Sequence, residues 1–251
     1  MLRKCWMTIA AVCLALPAAA QTVDEVIAKN VQARGGLDKI KAVQSVRMTG
    51  TMTAGPGMEA PFVLEMKRPN KMRVEFTFQG MTGIQAYDGK TAWTHMPFIS
   101  KADPEPMPAD QAKEAEEESD MDGPLVDYKA KGNTVELVGK EKIEGTSAYK
   151  LKVTLKGGNI RYVFLDADTF LEIRNEGRRK VQGMEMDTES TIGDYKKVDG
   201  LMLPHSVDQE TKGIPMRQKL TLSKIELNVP VDDAKFSMPA VKKPEPAATP
   251  K

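Results

Sequence analysis

The chain has 251 residues, enough for one large domain or two small ones. Hydrophobic residues make up 41% and charged residues 28%, a balance that supports a packed globular core. Lys plus Arg number 36 against 35 for Asp plus Glu, so there is no basic excess with which to grip nucleic acid through its phosphates.

Arg3 and Lys4 open the sequence with a short basic stretch. Cys5 to Leu16 is mostly apolar, Pro17 breaks the run, and Ala18-Ala19-Ala20 offers small residues for cleavage before Gln21. This is the pattern of a secretory signal peptide over 1–20, cleaved near Ala20. The apolar run is too short for a membrane anchor, which needs roughly 20 residues. Cys13 follows Val12, where a lipid-attachment motif wants a small residue. Removing the leader takes two basic residues and no acids, which turns a net charge of +1 into −1. It also takes Cys5, Cys13 and Trp6, leaving Trp93 as the single tryptophan. The mature chain is therefore expected to be exported, free of disulfides and without a transmembrane segment. With no thiol and two isolated histidines it is expected to carry no metal and no cofactor.

Residues 22–34 read as an amphipathic helix, with Val23, Val26, Ile27 and Val31 on one face. Thr22 and Glu25 fit a capping box and Gly35-Gly36 ends the helix. Leu37 to Val43 add a short second turn. From Gln44 the period becomes two. Val46, Met48 and Met52, then Phe62, Leu64 and Met66, then Met72, Val74 and Phe76 each alternate with polar neighbours, as half-buried strands do. Turns fall at Gly55-Pro56-Gly57 and Pro69-Asn70, and Asp88-Gly89 marks a hairpin between 84–87 and 91–94. Residues 100–123 interrupt this rhythm with prolines and an acidic run that has almost no apolar face. They are expected to form a mobile loop or a weak surface helix, followed by a short helical plug at Leu125, Val126 and Tyr128. Strands resume near Thr134. Tyr149, Leu151, Val153 and Leu155 alternate with Lys150, Lys152, Thr154 and Lys156, and Ile160–Leu165 and Phe170–Asn175 follow. Further strands are expected at 178–190, 190–197, 201–211 and 216–227. Regular antiparallel strands with short turns mean a meander, a curled sheet or a barrel. We expect one domain over 21–239 and a disordered Pro/Ala/Lys tail over 240–251.

Catalytic signals are absent. His95 and His205 lack metal-ligand spacing, and Ser206 beside His205 is adjacency rather than a triad. There is no G-x-S-x-G elbow, no P-loop and no G-x-G-x-x-G. The acidic run Glu114–Asp122 lacks the frame of a calcium loop. The chain is therefore not expected to be an enzyme. Methionine is the unusual residue, with sixteen in all and two of them in the leader. Met48, Met52, Met66, Met72, Met184 and Met186 occupy strand positions that could share one face. They read either as ordinary core filling or as the wall of an adaptable apolar cavity.

Three stretches resemble a known family. Lys67-Arg68-Pro69-Asn70 is similar to its K-R-P-N strand turn. Asp88-Gly89-Lys90-Thr91-Ala92-Trp93 with Pro97-Phe98 is similar to its D-G-K-T-x-W…P-F hairpin, and Asp233-Ala234-Lys235-Phe236 to its closing D-A-A-K-F. The family is that of the LolA-like periplasmic carriers of outer-membrane lipoproteins. The resemblance implies a mainly β fold, an unclosed antiparallel barrel with helices packed in its concave mouth. It implies a periplasmic protein whose cavity shelters acyl chains of a lipoprotein or lipid, passed from an inner-membrane donor transporter to an outer-membrane acceptor. On this reading the cavity lining is Met48, Met52, Phe62, Leu64, Met66, Met72, Val74, Phe76, Trp93, Leu151, Val153 and Phe164. Arg68 takes the part of the latch that ties down the lid, and Met72 stands where the family carries an aromatic. The other reading of Arg68 is a solvated strand-end arginine. The alternative role is an envelope sensor of the same fold, binding a lipid or protein partner without transport.

Overall fold

The computed structural model describes residues 21–53, 55, 58–99, 103–181, 184–214 and 217–240. The expected leader, its cleavage site and the tail beyond residue 240 lie outside the described residues, as does the side chain of Met184. The chain opens with α1 (Val23–Ala33) and α2 (Leu37–Ala42). Thr22 Oγ1 accepts from the Glu25 amide and the Glu25 side chain accepts from the Thr22 amide, so the capping box holds the start of α1.

Five strands follow: β1 (Ser45–Thr53), β2 (Glu59–Lys67), β3 (Lys71–Phe78), β4 (Met81–Tyr87) and β5 (Ala92–His95). A short β6 (Glu105–Pro106) leads into α3 (Ala109–Glu118). Then come β7 (Thr134–Ile143), β8 (Thr146–Thr154), β9 (Ile160–Asp166), β10 (Glu172–Val181) and β11 (Met184–Gly193). A small hairpin of β12 (Lys196–Val198) and β13 (Leu201–Leu203) stands apart from the main sheet. The chain returns through β14 (Ser206–Thr211) and β15 (Arg217–Leu227), and a 3-10 turn over Asp233–Lys235 follows. The segment expected as two strands at 160–165 and 170–175 is β9 and the start of a longer β10.

Thirteen strands form one antiparallel sheet in the order β6-β5-β4-β3-β2-β1-β15-β14-β11-β10-β9-β8-β7. Pairing of β1 with β15 splices the first hairpins to the last. At that splice the register shifts between Thr49 and Gly50, and a β-carbon at Gly50 would stand 2.0 Å from the Thr221 carbonyl oxygen. Only glycine allows so close an approach. The two edges, β6 and β7, are not paired with each other among the described strands, so the barrel is unclosed. The chain that runs from β6 to β7, carrying α3, crosses between those edges.

The concave face is filled unevenly. Val26 and Ile27 of α1, with Leu125, pack onto Val135, Tyr149, Leu151, Val153, Val163 and Leu165 of β7–β9. Ile40 of α2, with Val43 and Val126, packs onto Val46, Phe62, Leu222 and Ile225 in the middle of the sheet. Ala115 of α3 covers Met66, Met72, Tyr87 and Ala92. Of the plug expected at Leu125, Val126 and Tyr128, the first two are buried and Tyr128 is half-buried, and the backbone there is a series of turns rather than a helix. The stretch expected as a loop or weak helix holds α3, built from Ala, Glu, Lys and Gln, which are strong helix formers even without an apolar stripe.

On the convex face the C-terminal segment forms a strap. Trp93 is fully buried there, and its Nε1 donates to the Phe236 carbonyl at 2.7 Å. Lys235 pairs with buried Glu65 at 2.8 Å, and Asp233 pairs with Lys67 and Lys71. Phe236 is itself fully buried. Phe236→Ala is expected to cost about 3–5 kcal/mol of stability. Urea unfolding would measure the loss, and emission from Trp93 in a chain lacking residues 1–20 would shift to the red in the folded baseline.

Candidate functional site

Strand alternation sends one set of side chains from β1–β3 into the concavity. Phe62 faces Phe76, Leu64 faces Val74, and Met66 faces Met72 across the β2–β3 ladder. With Met52 of β1 and Leu220 of β15 they form one wall of a cavity of about 680 Å³. Its rim carries Met96, Phe98 and Ile99, with Ile99 78% exposed. The Phe98 ring lies 5.6 Å from Phe76 and 6.3 Å from Phe78, centroid to centroid. It also presses onto Gly83, where a β-carbon would meet the ring at 2.7 Å. The size falls within the roughly 300–1,000 Å³ of small-molecule sites.

The far wall is polar. Glu114, Glu117 and Glu118 of α3 face inward-turned residues of β9, β10, β11 and β14. α3 spans this gap as a strap. Lys113 Nζ donates to the Gly157 carbonyl at 2.6 Å, and Glu117 accepts from Asn159 Nδ2 at 2.9 Å and pairs with Arg161 at 3.2 Å.

The end of the strap is tied at Asp122, whose side chain is 3% exposed. Arg68 donates to both of its oxygens, Nη2 to Oδ1 at 2.5 Å and Nη1 to Oδ2 at 3.1 Å. The same guanidinium donates to the carbonyls of Val43 at 2.7 Å and Ile40 at 3.1 Å, where α2 ends. Lys41 Nζ adds a contact to Asp122 Oδ2 at 2.8 Å, and Arg34 Nη1 donates to the Asp122 carbonyl at 2.9 Å. Arg68 thus joins α2, the β2–β3 turn and the strap in one node. Burial would raise the Asp122 carboxyl, but hydrogen bonds and charge from Arg68 and then Lys41 outweigh it and hold the pKa at about 2.

The expected lining is divided by the fold. Met52, Phe62, Leu64, Met66, Met72, Val74 and Phe76 meet around the cavity. The other five do not. Met48 lines a separate pocket of about 70 Å³ between α2 and the sheet, which Met66 also borders. Leu151 and Val153 are on the concave face but lie under α1 in filled core. Trp93 points to the convex side, because its neighbour Ala92 takes the inward position on β5. Phe164 also faces outward: it sits between inward-facing Val163 and Leu165, its register partners are Lys150 and Arg174, and Lys150 Nζ lies 5.2 Å from its ring. Apolar character alone does not say which face of a sheet is enclosed. Asp122, Lys41 and the polar wall were missed. The strands of that wall carry Ser, Gln and Asn at inward parity, a signal that was available in the alternation.

No known family profile matches the sequence, and no curated protein matches it. Solved structures do. A DUF1329 family protein from Desulfovibrio piger superposes with a TM-score of 0.61 at 15% identity, covering 87% of this chain and 98% of its own. A LolA superfamily protein from Nitrosomonas europaea gives 0.58 at 16% identity, with the same coverage of 87% and 98%. A candidate outer membrane lipoprotein-sorting protein domain from Vibrio parahaemolyticus gives 0.59 at 13% identity, covering 84% and 94%. The chain has the LolA-like fold, as the three short motifs suggested.

Asp122→Asn is expected to lower stability by about 2 kcal/mol at pH 7, from the fall of its pKa below 3.8. A depressed carboxyl contributes fully above its ordinary pKa of 3.8 and loses that contribution as the pH falls toward about 2. The wild-type and Asp122→Asn urea curves should therefore converge in acid, and equal separation at pH 7 and in acid would exclude the latch.

Proposed function

We propose that the chain is a periplasmic carrier that shelters acyl chains of a lipoprotein or lipid behind a latched strap. The observation that carries this reading is the cavity itself: an apolar wall on which Met52, Leu64, Val74 and Phe76 stay only half-covered by the chain's own side chains. Moving a methylene from water into such a wall is worth about 0.8 kcal/mol, so a chain binds without any reacting group. Methionine suits this use because its unbranched side chain adapts to irregular apolar surfaces. The LolA-like fold supports the assignment by analogy. Among the described residues no helix is long and apolar enough to cross a membrane.

We read the protein as a binding protein rather than an enzyme. His205 is buried outside the cavity lining, with Nδ1 3.0 Å from the Leu203 carbonyl oxygen. A free docking arm in the acidic segment draws less support than a strap, since Glu117, Asp120 and Asp122 engage Arg161, Lys131 and Arg68 of the same chain. Donor and acceptor membrane partners remain part of the proposal.

Native mass spectrometry with lipid extraction, on protein recovered from periplasm, tests it. Bound acyl species are expected, and Phe76→Asp, at a half-buried position of the wall, should remove them while the fold survives by circular dichroism. A clean apo mass with no uptake of an added fluorescent fatty-acyl probe would sink the carrier reading. Arg68→Ala is expected to speed release of that probe severalfold in stopped flow, because the strap loses its anchor on the β2–β3 turn.

A further inference from the structure

The wall opposite Phe62, Leu64 and Phe76 has a regular chemistry of its own. Asn175 of β10 is in register with Ser190 of β11, Ser190 with Gln209 of β14, and Gln209 with Gln218 of β15. Four adjacent strands each contribute one uncharged polar side chain to a single transverse row, and all four line the cavity. The row continues the inward face, because Asn175 is also in register with Val163 of the α1-covered core. Asn175 Nδ2 already donates to Glu172 Oε1 at 3.0 Å and Gln218 Nε2 to Met52 Sδ at 2.6 Å, so the row meets a ligand with its amide oxygens, Ser190 and Gln209. A bare hydrocarbon laid across these would take away their water and return no hydrogen bond, which penalises binding. A head with donors and acceptors would replace that water.

Charge narrows the head further. The described arginines of the lining already hold carboxylates: Arg161 pairs with Glu117 at 3.2 Å and Arg178 with Asp187 at 3.0 Å. An anionic head would have to displace one of these carboxylates. A quaternary ammonium head would offer the row no donor and no acceptor.

We propose that the cavity selects an amphiphile with an uncharged head of hydroxyl or amide groups, its hydrocarbon on the Met/Phe wall and its head on the Asn175–Ser190–Gln209–Gln218 row. The selection rests on the container reading above. Such a head could belong to a glycolipid or to the amide backbone of an acylated peptide, and the two are separable. Displacement of a fluorescent acyl probe from the full mature chain, below micellar concentrations, would compare four ligands of equal chain length: dodecyl glucoside, N-dodecanoyl glycinamide, dodecyl phosphate and dodecyltrimethylammonium. At least one neutral-headed ligand is expected to bind about tenfold or more tighter than both ionic ones, the effect of one well-met buried polar group. The glucoside leading points to a glycolipid, the glycinamide to an acylated peptide. Ser190→Ala/Gln209→Leu should abolish the preference, bringing neutral and ionic ligands to equal affinity, and Gln218→Leu at the end of the row should reduce it if the double variant does not fold. Equal affinity for neutral and ionic heads, or a preference untouched by these substitutions, would overturn head selection while the container stands. Failure of every ligand and of the probe to bind would bring down the container reading itself.

Discussion

Taking a carboxylate out of water is costly unless opposite charge and hydrogen bonds stand in for the solvent it loses. Asp122 receives both, from a two-pronged guanidinium and an ammonium, in a site where its side chain is almost wholly covered. That requirement couples three pieces of chain that share no strand pairing. The end of α2 offers carbonyls to Arg68, the β2–β3 turn positions the arginine, and the strap delivers the aspartate. Beside the node, the crossing from β6 to β7 is held by apolar contacts of Met107, Ala112, Ala115 and Met121, by Lys113 on the Gly157 carbonyl, by Glu117 on Asn159 and Arg161, by the Lys131–Asp120 pair, and by buried Leu125 and Val126. The buried carboxylate of Asp122 anchors the end of the strap that follows α3.

The incomplete barrel makes such a strap necessary and a cavity available. A closed sheet of this size would fill its interior with its own side chains or enclose a channel, and it would have no edge strands. Here the sheet curls without closing, so helices enter the concavity from the side. α1 and the 125–126 turn fill the region under β7–β9, and α2 fills the centre. α3 brings alanine and glutamate rather than leucine. A helix with small residues toward the sheet and carboxylates toward the gap covers space without filling it. The amphipathic character of the cavity follows: an apolar wall on one side, and amides, hydroxyls and charges on the other.

Local features were legible where local physics decides them. The capping box at Thr22, the period-two runs through β1–β4 and the Asp88-Gly89 turn all follow from interactions within a few residues. Seven of the residues expected at the cavity line it because β1–β3 keep their alternation; Met52, Leu64, Val74 and Phe76 stay half-buried there, while Phe62, Met66 and Met72 are also packed beneath α2 and α3. Trp93 and Phe164 show where this reasoning stops. Both are apolar, on strands and fully buried, yet both lie on the outward face, one under the Phe236 strap and the other beside Lys150 and Arg174. α3 was legible only as one of two alternatives, a weak surface helix or a loop, because its pattern has no apolar stripe although its composition favours a helix.

The sequence by itself determined the parity of β1–β3 and β8, the capping box, the Asp88-Gly89 turn and the three motifs that point to the LolA-like fold, whereas the break between β10 and β11 fell inside a segment expected as one strand over 178–190. Only the tertiary structure decided which parity faces an enclosed space, which part of that space is filled and which left empty, and that Asp122 meets Arg68 from 54 residues away. The reason is physical. Alternation defines two faces but is blind to what covers either one. The covering elements here, the α1–α2 pair, the α3 strap and the C-terminal turn, reach the sheet through pairings of charge and shape that no local period encodes.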